Sequence, residues 1–245
     1  MTMFEYAKKA YQSMKDKPRE ERWQYFLDYY KWYAITILLV IALLIQGIVF
    51  ITTRKETVFS GVLVDGSESF EAETYMQDLE EHLQINTKKE KIFFQTNISL
   101  DATMDNNRVD AFQRIVAGFT TQSTDFLTAE ERNFATCAYH TMNMFADLRD
   151  CLDAETLAKL DGRIYYIDQS IIDQAREKAL PEDLVIPDPH APETMIDPVP
   201  VGINITDCKE FCSTYYLLQE DLYLGIAVNT TRLETVLELL EFLGI

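Results

Sequence analysis

This 245-residue chain lacks catalytic signatures. It has no Gly-x-Ser-x-Gly elbow, no glycine-rich phosphate loop, no His-Glu-x-x-His and no Asp-x-Asp-x-Asp-Gly calcium loop, which removes the commonest routes to hydrolase, nucleotide and calcium chemistry. No Cys-x-x-Cys occurs and the three histidines (His82, His140, His190) are scattered, so neither a metal nor a cofactor is expected. Cys137 and His140 stand three apart on an expected helix; a core thiol beside a surface imidazole explains them more simply than a nucleophile with its base. Acidic pairs such as Asp150 with Asp153, and Glu220 with Asp221, lie in polar stretches where solvation accounts for them. A non-enzymatic protein is the expectation.

Charge is missing altogether from Ala34 to Thr53, AITILLVIALLIQGIVFITT. Those 20 positions rise roughly 30 Å as a helix, the thickness of a bilayer's hydrocarbon core. Thirteen of them are Ile, Leu, Val or Phe, each favouring insertion by about 0.3 to 0.6 kcal/mol near the centre of a span. Gln46 alone does not cancel that sum. A buried core helix is rarely so long or so apolar on every face. A cleaved signal peptide would have a shorter apolar region ending at small residues, whereas this run begins after 33 residues and is followed by Arg54-Lys55-Glu56. The run therefore reads as one transmembrane helix, residues 34–53.

Seven basic residues precede the run (Lys8, Lys9, Lys15, Lys17, Arg19, Arg22, Lys31), and after Arg54 and Lys55 none appears until Lys88. That bias places residues 1–33 in the cytoplasm and residues 56–245 outside the cell. Both tryptophans lie just before the span with several tyrosines, and Trp23, Tyr29, Tyr30, Trp32 and Tyr33 are assigned as headgroup-level anchors. A docking surface for another protein is the alternative use of that aromatic segment. Pro18 separates it from a first short helix around Phe4 to Met14.

From Glu56 onward thirteen basic residues face thirty-five acidic ones, a net charge of −22. Such a field opposes nucleic acid and anionic lipid and favours cationic ligands or divalent ions, though it also describes an ordinary solvated acidic surface. All four cysteines, Cys137, Cys151, Cys208 and Cys212, fall in this outer part, where disulfides persist. Chain order suggests Cys137 with Cys151 and Cys208 with Cys212 out of three possible pairings, with buried free thiols as the alternative.

Strand-like and helix-like segments alternate through the outer part. Strands are expected at 58–64, 91–98, 125–128, 163–168, 199–205 and 222–228; helices at 70–85, 109–119, 129–145, 154–160, 169–180, 207–218 and 231–243. Six of the seven prolines fall between Pro181 and Pro200, which marks that stretch as a surface excursion and excludes a central strand from it. Asn229 or Thr230 is expected to cap the last helix, with Glu234 completing a capping box. Repeated β and α units of this size predict an α/β domain with a mixed or mostly parallel sheet and helices on both faces.

The segment Arg108 to Leu152, a helix reading RVDAFQRIVAGF, a strand, a second helix and the phrase Met144-Phe145-Ala146-Asp147-Leu148, resembles the middle of type II periplasmic solute-binding domains. Pro200-Val201-Gly202-Ile203 and Tyr223-Leu224-Gly225-Ile226-Ala227-Val228-Asn229 with the closing helix are similar to the late strands and tail of that fold. The order of aromatic anchor, single span and acidic outer domain also resembles membrane-anchored proteins of Gram-positive bacteria whose function is uncharacterised. The resemblance implies a periplasmic-binding-protein-like domain, reduced to 190 residues, tethered to the cell membrane and capturing a small or peptidic ligand, with a multi-spanning transporter or other membrane subunit as partner. A non-catalytic accessory or scaffold subunit, associating through Gln46, Gly47 and the aromatic segment, is the alternative. Ligands of open α/β sheets sit beyond the carboxyl ends of strands. That rule points to Asp65, Gly66 and Ser67 after the first strand, to Thr121, Gln122 and Ser123 before the third, and to Asp168 after RIYYID. Each is also a residue type suited to a turn or cap.

Overall fold

The computed structural model of the chain describes Gln12 and residues 18–21, 23–24, 31–100, 105–140, 142–178, 185–216 and 221–245. It divides into two units, Met1–Arg54 and Lys55–Ile245. In the first, helix α1 (Lys31–Thr53) begins three residues before the uncharged run and is the single helix among the described residues long and apolar enough to cross a membrane. Length and composition alone fit a membrane anchor or a signal sequence. Its large apolar side chains from Ile35 to Phe50 stand exposed on every face, as do Trp23, Trp32 and Tyr33. Tyr29, Tyr30 and the short helix expected around Phe4 to Met14 lie outside the described residues.

The second unit runs β1 (Glu56–Val64), α2 (Ala72–His82), β2 (Glu90–Ile98), α3 (Asp105–Thr120), β3 (Phe126–Glu130), α4 (Glu131–Ala138), α5 (Leu148–Cys151), α6 (Ala154–Lys159), β4 (Ile164–Asp168), α7 (Gln169–Glu177), a 3-10 turn at Pro192–Thr194, β5 (Pro198–Asn204), α8 (Lys209–Tyr215), β6 (Leu222–Ile226) and α9 (Leu233–Phe242). The strands form one sheet in the order β2-β1-β3-β6-β5-β4. β1 pairs in parallel with β2 and β3, while β3–β6, β6–β5 and β5–β4 are antiparallel. All six expected strands are present, and the sheet is mixed.

Period-two alternation of side chains builds a core on each face of the sheet. Phe59, Leu63, Phe126, Leu222, Leu224 and Ile226 point to one face, where α2, α8 and α9 cover them with Tyr75, Leu79, Phe211, Tyr215, Val236 and Leu239. Val62, Val64, Leu127, Ala129, Tyr165 and Tyr223 point to the other, under Ile115 and Phe119 of α3, Phe134 and Cys137 of α4 and Ile172 of α7. Crossovers of one hand explain this sorting: the path β1-α2-β2 steps one way along the sheet and β2-α3-β3 steps back, so their helices must lie on opposite faces.

Two expectations fail for identifiable reasons. Prolines 198 and 200 lie within β5, an internal strand. They are tolerated because β5 pairs with β6 only at Ile203 and Asn204, and beyond that point the segment around Phe145 takes its place beside β6. Ala146 N–H donates to Ile226 O at 2.9 Å and Val228 N–H to Met144 O at 2.9 Å. Gly225 makes this graft possible, since a Cβ there would meet the Phe145 ring at 2.5 Å. The predicted cap of the last helix also fails. Arg232 occupies the cap position and its side chain caps no helix N–H; Thr230 Oγ1 accepts from Arg232 N–H at 3.1 Å while donating to Asp125, and Asn229 donates to Phe119 O.

Candidate functional site

The chain leaves β1 for a helix on one face and leaves β3 for a helix on the opposite face, so the carboxyl ends of these neighbouring parallel strands part at a topological switch point. Asp65 stands at that point. It adopts a left-handed backbone, φ 56°, which a short polar residue tolerates. Its N–H still continues the ladder to Ile98 O at 2.8 Å. Its carboxylate reaches sideways: Oδ1 accepts from Ser99 Oγ, just past β2, and Oδ2 accepts from Asn133 Nδ2 in the first turn of α4 at 2.7 Å. One half-buried carboxylate thus joins β1, β2 and α4.

Gly66 lets the next turn lie close to the protein, because a Cβ there would be 2.9 Å from Leu63 Cβ. Ser67 N–H then donates to Tyr215 O at 2.8 Å and Ser69 N–H to Thr214 O at 2.9 Å, tying the loop to the end of α8. Tyr216 follows that helix, with its hydroxyl 2.6 Å from Thr128 Oγ1 of β3. Burial, then the neighbouring Cys212, Asp65 and Glu130, outweigh the Thr128 hydrogen bond and push the Tyr216 pKa well above the usual phenol range, so this hydroxyl stays a neutral donor. Glu130 ends β3 at this end of the sheet, and Glu131 N–H donates to Asp221 O, just before β6, at 3.2 Å. This end of the sheet carries carboxylates and the Asn133 amide, while the buried Tyr216 hydroxyl donates to Thr128 O at 3.2 Å. Such a lining suits an ammonium group, another cation or a polar ligand rich in donors.

Of the residues singled out from the sequence, only Asp65, Gly66 and Ser67 lie here. Thr121, Gln122 and Ser123 precede β3, and because β3 is parallel to β1 they sit at the opposite end of the sheet. They form the turn that ends α3: Thr121 Oγ1 donates to Ala117 O at 2.9 Å, Ser123 Oγ donates to Gly118 O at 3.3 Å, and Gln122 takes φ 56°. Asp168 is also apart. β4 runs antiparallel to β1, so the end of β4 is likewise at the amino end of the parallel strands. Its buried carboxylate caps α7 and holds the returning excursion, accepting from Ser170 Oγ at 2.7 Å, Ser170 N–H at 3.1 Å, Ile196 N–H at 2.9 Å and Asp197 N–H at 3.1 Å. Three of these donors reach Oδ1 and one reaches Oδ2, and burial rather than open acceptor capacity marks this carboxylate as structural. Burial pushes the Asp168 pKa up, but these hydrogen bonds outweigh it and hold the group below the usual carboxylate range.

All four cysteines are free thiols. The suggested Cys137–Cys151 bridge is not formed because the two pack against opposite faces of the sheet. Cys208 and Cys212 share a face, but their thiols turn apart, to Leu243 O at 3.4 Å and to Ile205 O at 3.4 Å. Burial pushes the Cys137 thiol up to about 12, so it stays protonated at neutral pH. The His140 ring packs edge-on against Phe112 and its Nδ1 accepts from Met142 N–H at 3.3 Å.

Sequence reasoning missed Asn133, Ser99, Glu130 and Tyr216. The carboxyl-end rule applied to β3 selects the residues after the strand, Glu130 to Asn133, and not those before it. Tyr216 carried no local signal, since its place depends on where α8 docks. Also missed was Asp125 at the amino end of β3. Fully buried, it accepts from Ser60 N–H at 2.8 Å, Thr230 Oγ1 at 2.7 Å and Arg232 Nε at 2.9 Å.

No family model matches this chain, nor does any curated protein or solved structure.

Proposed function

We propose that this chain is a single-pass membrane protein whose outer domain captures a small or peptidic, preferentially cationic ligand at the carboxyl ends of β1 and β3, with its N-terminus in the cytoplasm. The Asp65 carboxylate at the switch point carries the reading: it is half-buried and, among the described residues, accepts from the uncharged donors Ser99 and Asn133, with Glu130 ending the neighbouring strand. Each of its oxygens keeps a lone pair for a ligand donor. The net charge of −22 from Glu56 onward raises the local concentration of cations. Delivery to a multi-spanning transporter is the role we assign to the tether. The accessory-subunit reading draws on Gly47, where a Cβ would meet nothing within 4 Å, which leaves α1 a site for close approach of a second helix.

Thermal-shift screening of the full chain in detergent against basic amino acids, oligopeptides and divalent ions tests the capture reading. A ligand at 100 times its Kd adds about 2.7 kcal/mol to stability. Stabilisation that disappears in Asp65→Ala is the expected result. No stabilisation by any of these classes, or stabilisation untouched by Asp65→Ala, would sink the assignment.

A further inference from the structure

Three of the thirteen basic residues after Glu56 fall within four positions, Lys88, Lys89 and Lys91. Lys88 and Lys89 lie just before β2, the edge strand of the sheet, and Lys91 within it, and the pairing of Glu56 with Glu90 and Thr57 with Lys91 sets them beside the start of β1. Glu56 N–H donates to Lys89 O at 2.8 Å, and Lys55 precedes that bond directly. All four lysines are exposed. Arg149, Lys159, Arg176 and Arg232 are held in ion pairs, whereas among the described residues Lys88 and Lys89 are in none. Lys91 Nζ lies 5.6 Å from the ring centre of Phe93, which is 47% exposed. The carboxylates in the same strip are Glu56 and Glu90, and that of Glu90 accepts from Asn86 N–H at 2.9 Å. A cationic edge with an exposed aromatic ring thus interrupts a strongly acidic unit.

We propose that this edge docks on anionic lipid headgroups, the lysine ammoniums meeting phosphodiester oxygens and Phe93 settling at the level of the headgroups. The proposal rests on α1 being a membrane anchor. Only Arg54 and Lys55 separate Thr53 from Glu56, a covalent link of at most about 11 Å, so the start of β1 and the lysines paired beside it stay near the point where the chain leaves the bilayer. An anionic surface attracts juxtamembrane lysines and repels the acidic remainder of the unit, so the same field that draws this edge down disfavours every other face. Long lysine stems and an aromatic ring are the side chains that tolerate that boundary.

Amine labelling of the full chain in nanodiscs loaded with one copy tests this directly, with Lys159 as internal reference. In discs containing about 30% anionic lipid, labelling of Lys88, Lys89 and Lys91 relative to Lys159 is expected to slow at least about threefold against purely zwitterionic discs, and to recover in about 0.5 M NaCl. In the double variant Lys88→Glu with Lys89→Glu, labelling of Lys91 should become independent of lipid composition; both positions are exposed, and circular dichroism confirms that the variant folds. Equal labelling in both lipids overturns the proposal. Protection that appears only in discs carrying two copies overturns it in favour of pairing between β2 edges. A chain that carbonate extracts from vesicles overturns the anchor and the proposal together, whereas an integrated chain with lipid-independent labelling overturns the docking alone.

Discussion

At the amino end of the parallel strands the carboxylate of Asp125 is closed into the fold; at their carboxyl end that of Asp65 is held half open. Both bridge the β1–β3 region to a later element. Asp125 is fully buried, bonded to the β1 backbone at Ser60 and ion-paired to Arg232, whose guanidinium also donates to Thr57 O at 3.3 Å and Gln122 O at 3.2 Å. Among the described residues Asp65 accepts from two uncharged partners, Ser99 and Asn133, and it borders solvent. A buried carboxylate without a cation is costly, so the amino end needed Arg232 and became a lock. Water lowers that requirement at the other end, where among the described residues no cation is bonded to Asp65. The lock holds the strands in place; the open end is where a ligand has something to gain.

The contrast breaks most visibly at the lock. Arg232→Ala leaves the Asp125 charge buried and unpaired and is expected to destabilise the fold by about 3 to 5 kcal/mol in urea unfolding. Arg232→Lys should recover only part of that loss, because a single ammonium cannot serve Asp125, Thr57 and Gln122 at once. A loss under about 1 kcal/mol for Arg232→Ala would place Asp125 in a far wetter environment than the fold indicates.

Asp168 tests whether a buried carboxylate held by several donors behaves as structure. Its folded pKa lies below the ordinary value, so the folded state resists protonation and the stabilisation is fully present above the unfolded pKa of about 3.9. It is lost as pH falls from there through the folded value. Asp168→Asn forfeits the charge-assisted bonds to Ile196, Asp197 and Ser170, and should cost about 1 to 3 kcal/mol at pH 7. The gap between wild type and variant should shrink below about pH 4. A gap constant from neutral to acid pH would refute the sign.

The thiols give a third measurement. Denaturing, non-reducing alkylation should label all four cysteines, and native alkylation should reach Cys137 last because it is buried and its pKa is pushed up to about 12. Cys137→Ser places a hydroxyl in an apolar core with a cost of about 1 to 3 kcal/mol. A mass two hydrogens short for any cysteine pair would restore one of the bridges that chain order suggests.

The strands and helix faces were legible because they depend on local alternation. VFSGVLV and RIYYID declare buried strands, and Tyr75, Met76, Leu79 and Leu83 lie at helical spacing, with Tyr75, Leu79 and Leu83 buried as that spacing predicts. Val109 shows the limit of periodicity, since it keeps the helical register of Ile115 and Phe119 yet stands 56% exposed near the start of α3. What could not be read is long-range. Asp125 and Arg232 are 107 residues apart, and nothing near either one announces the other. Thr121 to Ser123 show a different limit: they precede β3, and only residues after a strand reach its carboxyl end. The position of Asp65-Gly66-Ser67 after β1 was legible locally, whereas the approach of Asn133, Ser99 and Tyr216 required knowing which elements become neighbours.

The smallest effect on stability is expected at Asp65, and it carries the most about function. Asp65→Asn preserves size and the left-handed backbone, which Asn also tolerates. It removes a charge to which, among the described residues, no cation is bonded, so the unfolding free energy should change by less than about 1 kcal/mol in either direction. Asn133→Ala, which removes one uncharged partner at a half-buried position, should cost about 0.5 to 1.5 kcal/mol. A binding site and a structural lock differ in this respect: altering the lock unfolds the protein, whereas altering the site abolishes binding and leaves the fold. If Asp65→Asn proved as damaging as Arg232→Ala, the two ends of the sheet would be equivalent locks and the carboxyl-end crevice would lose its claim to a ligand.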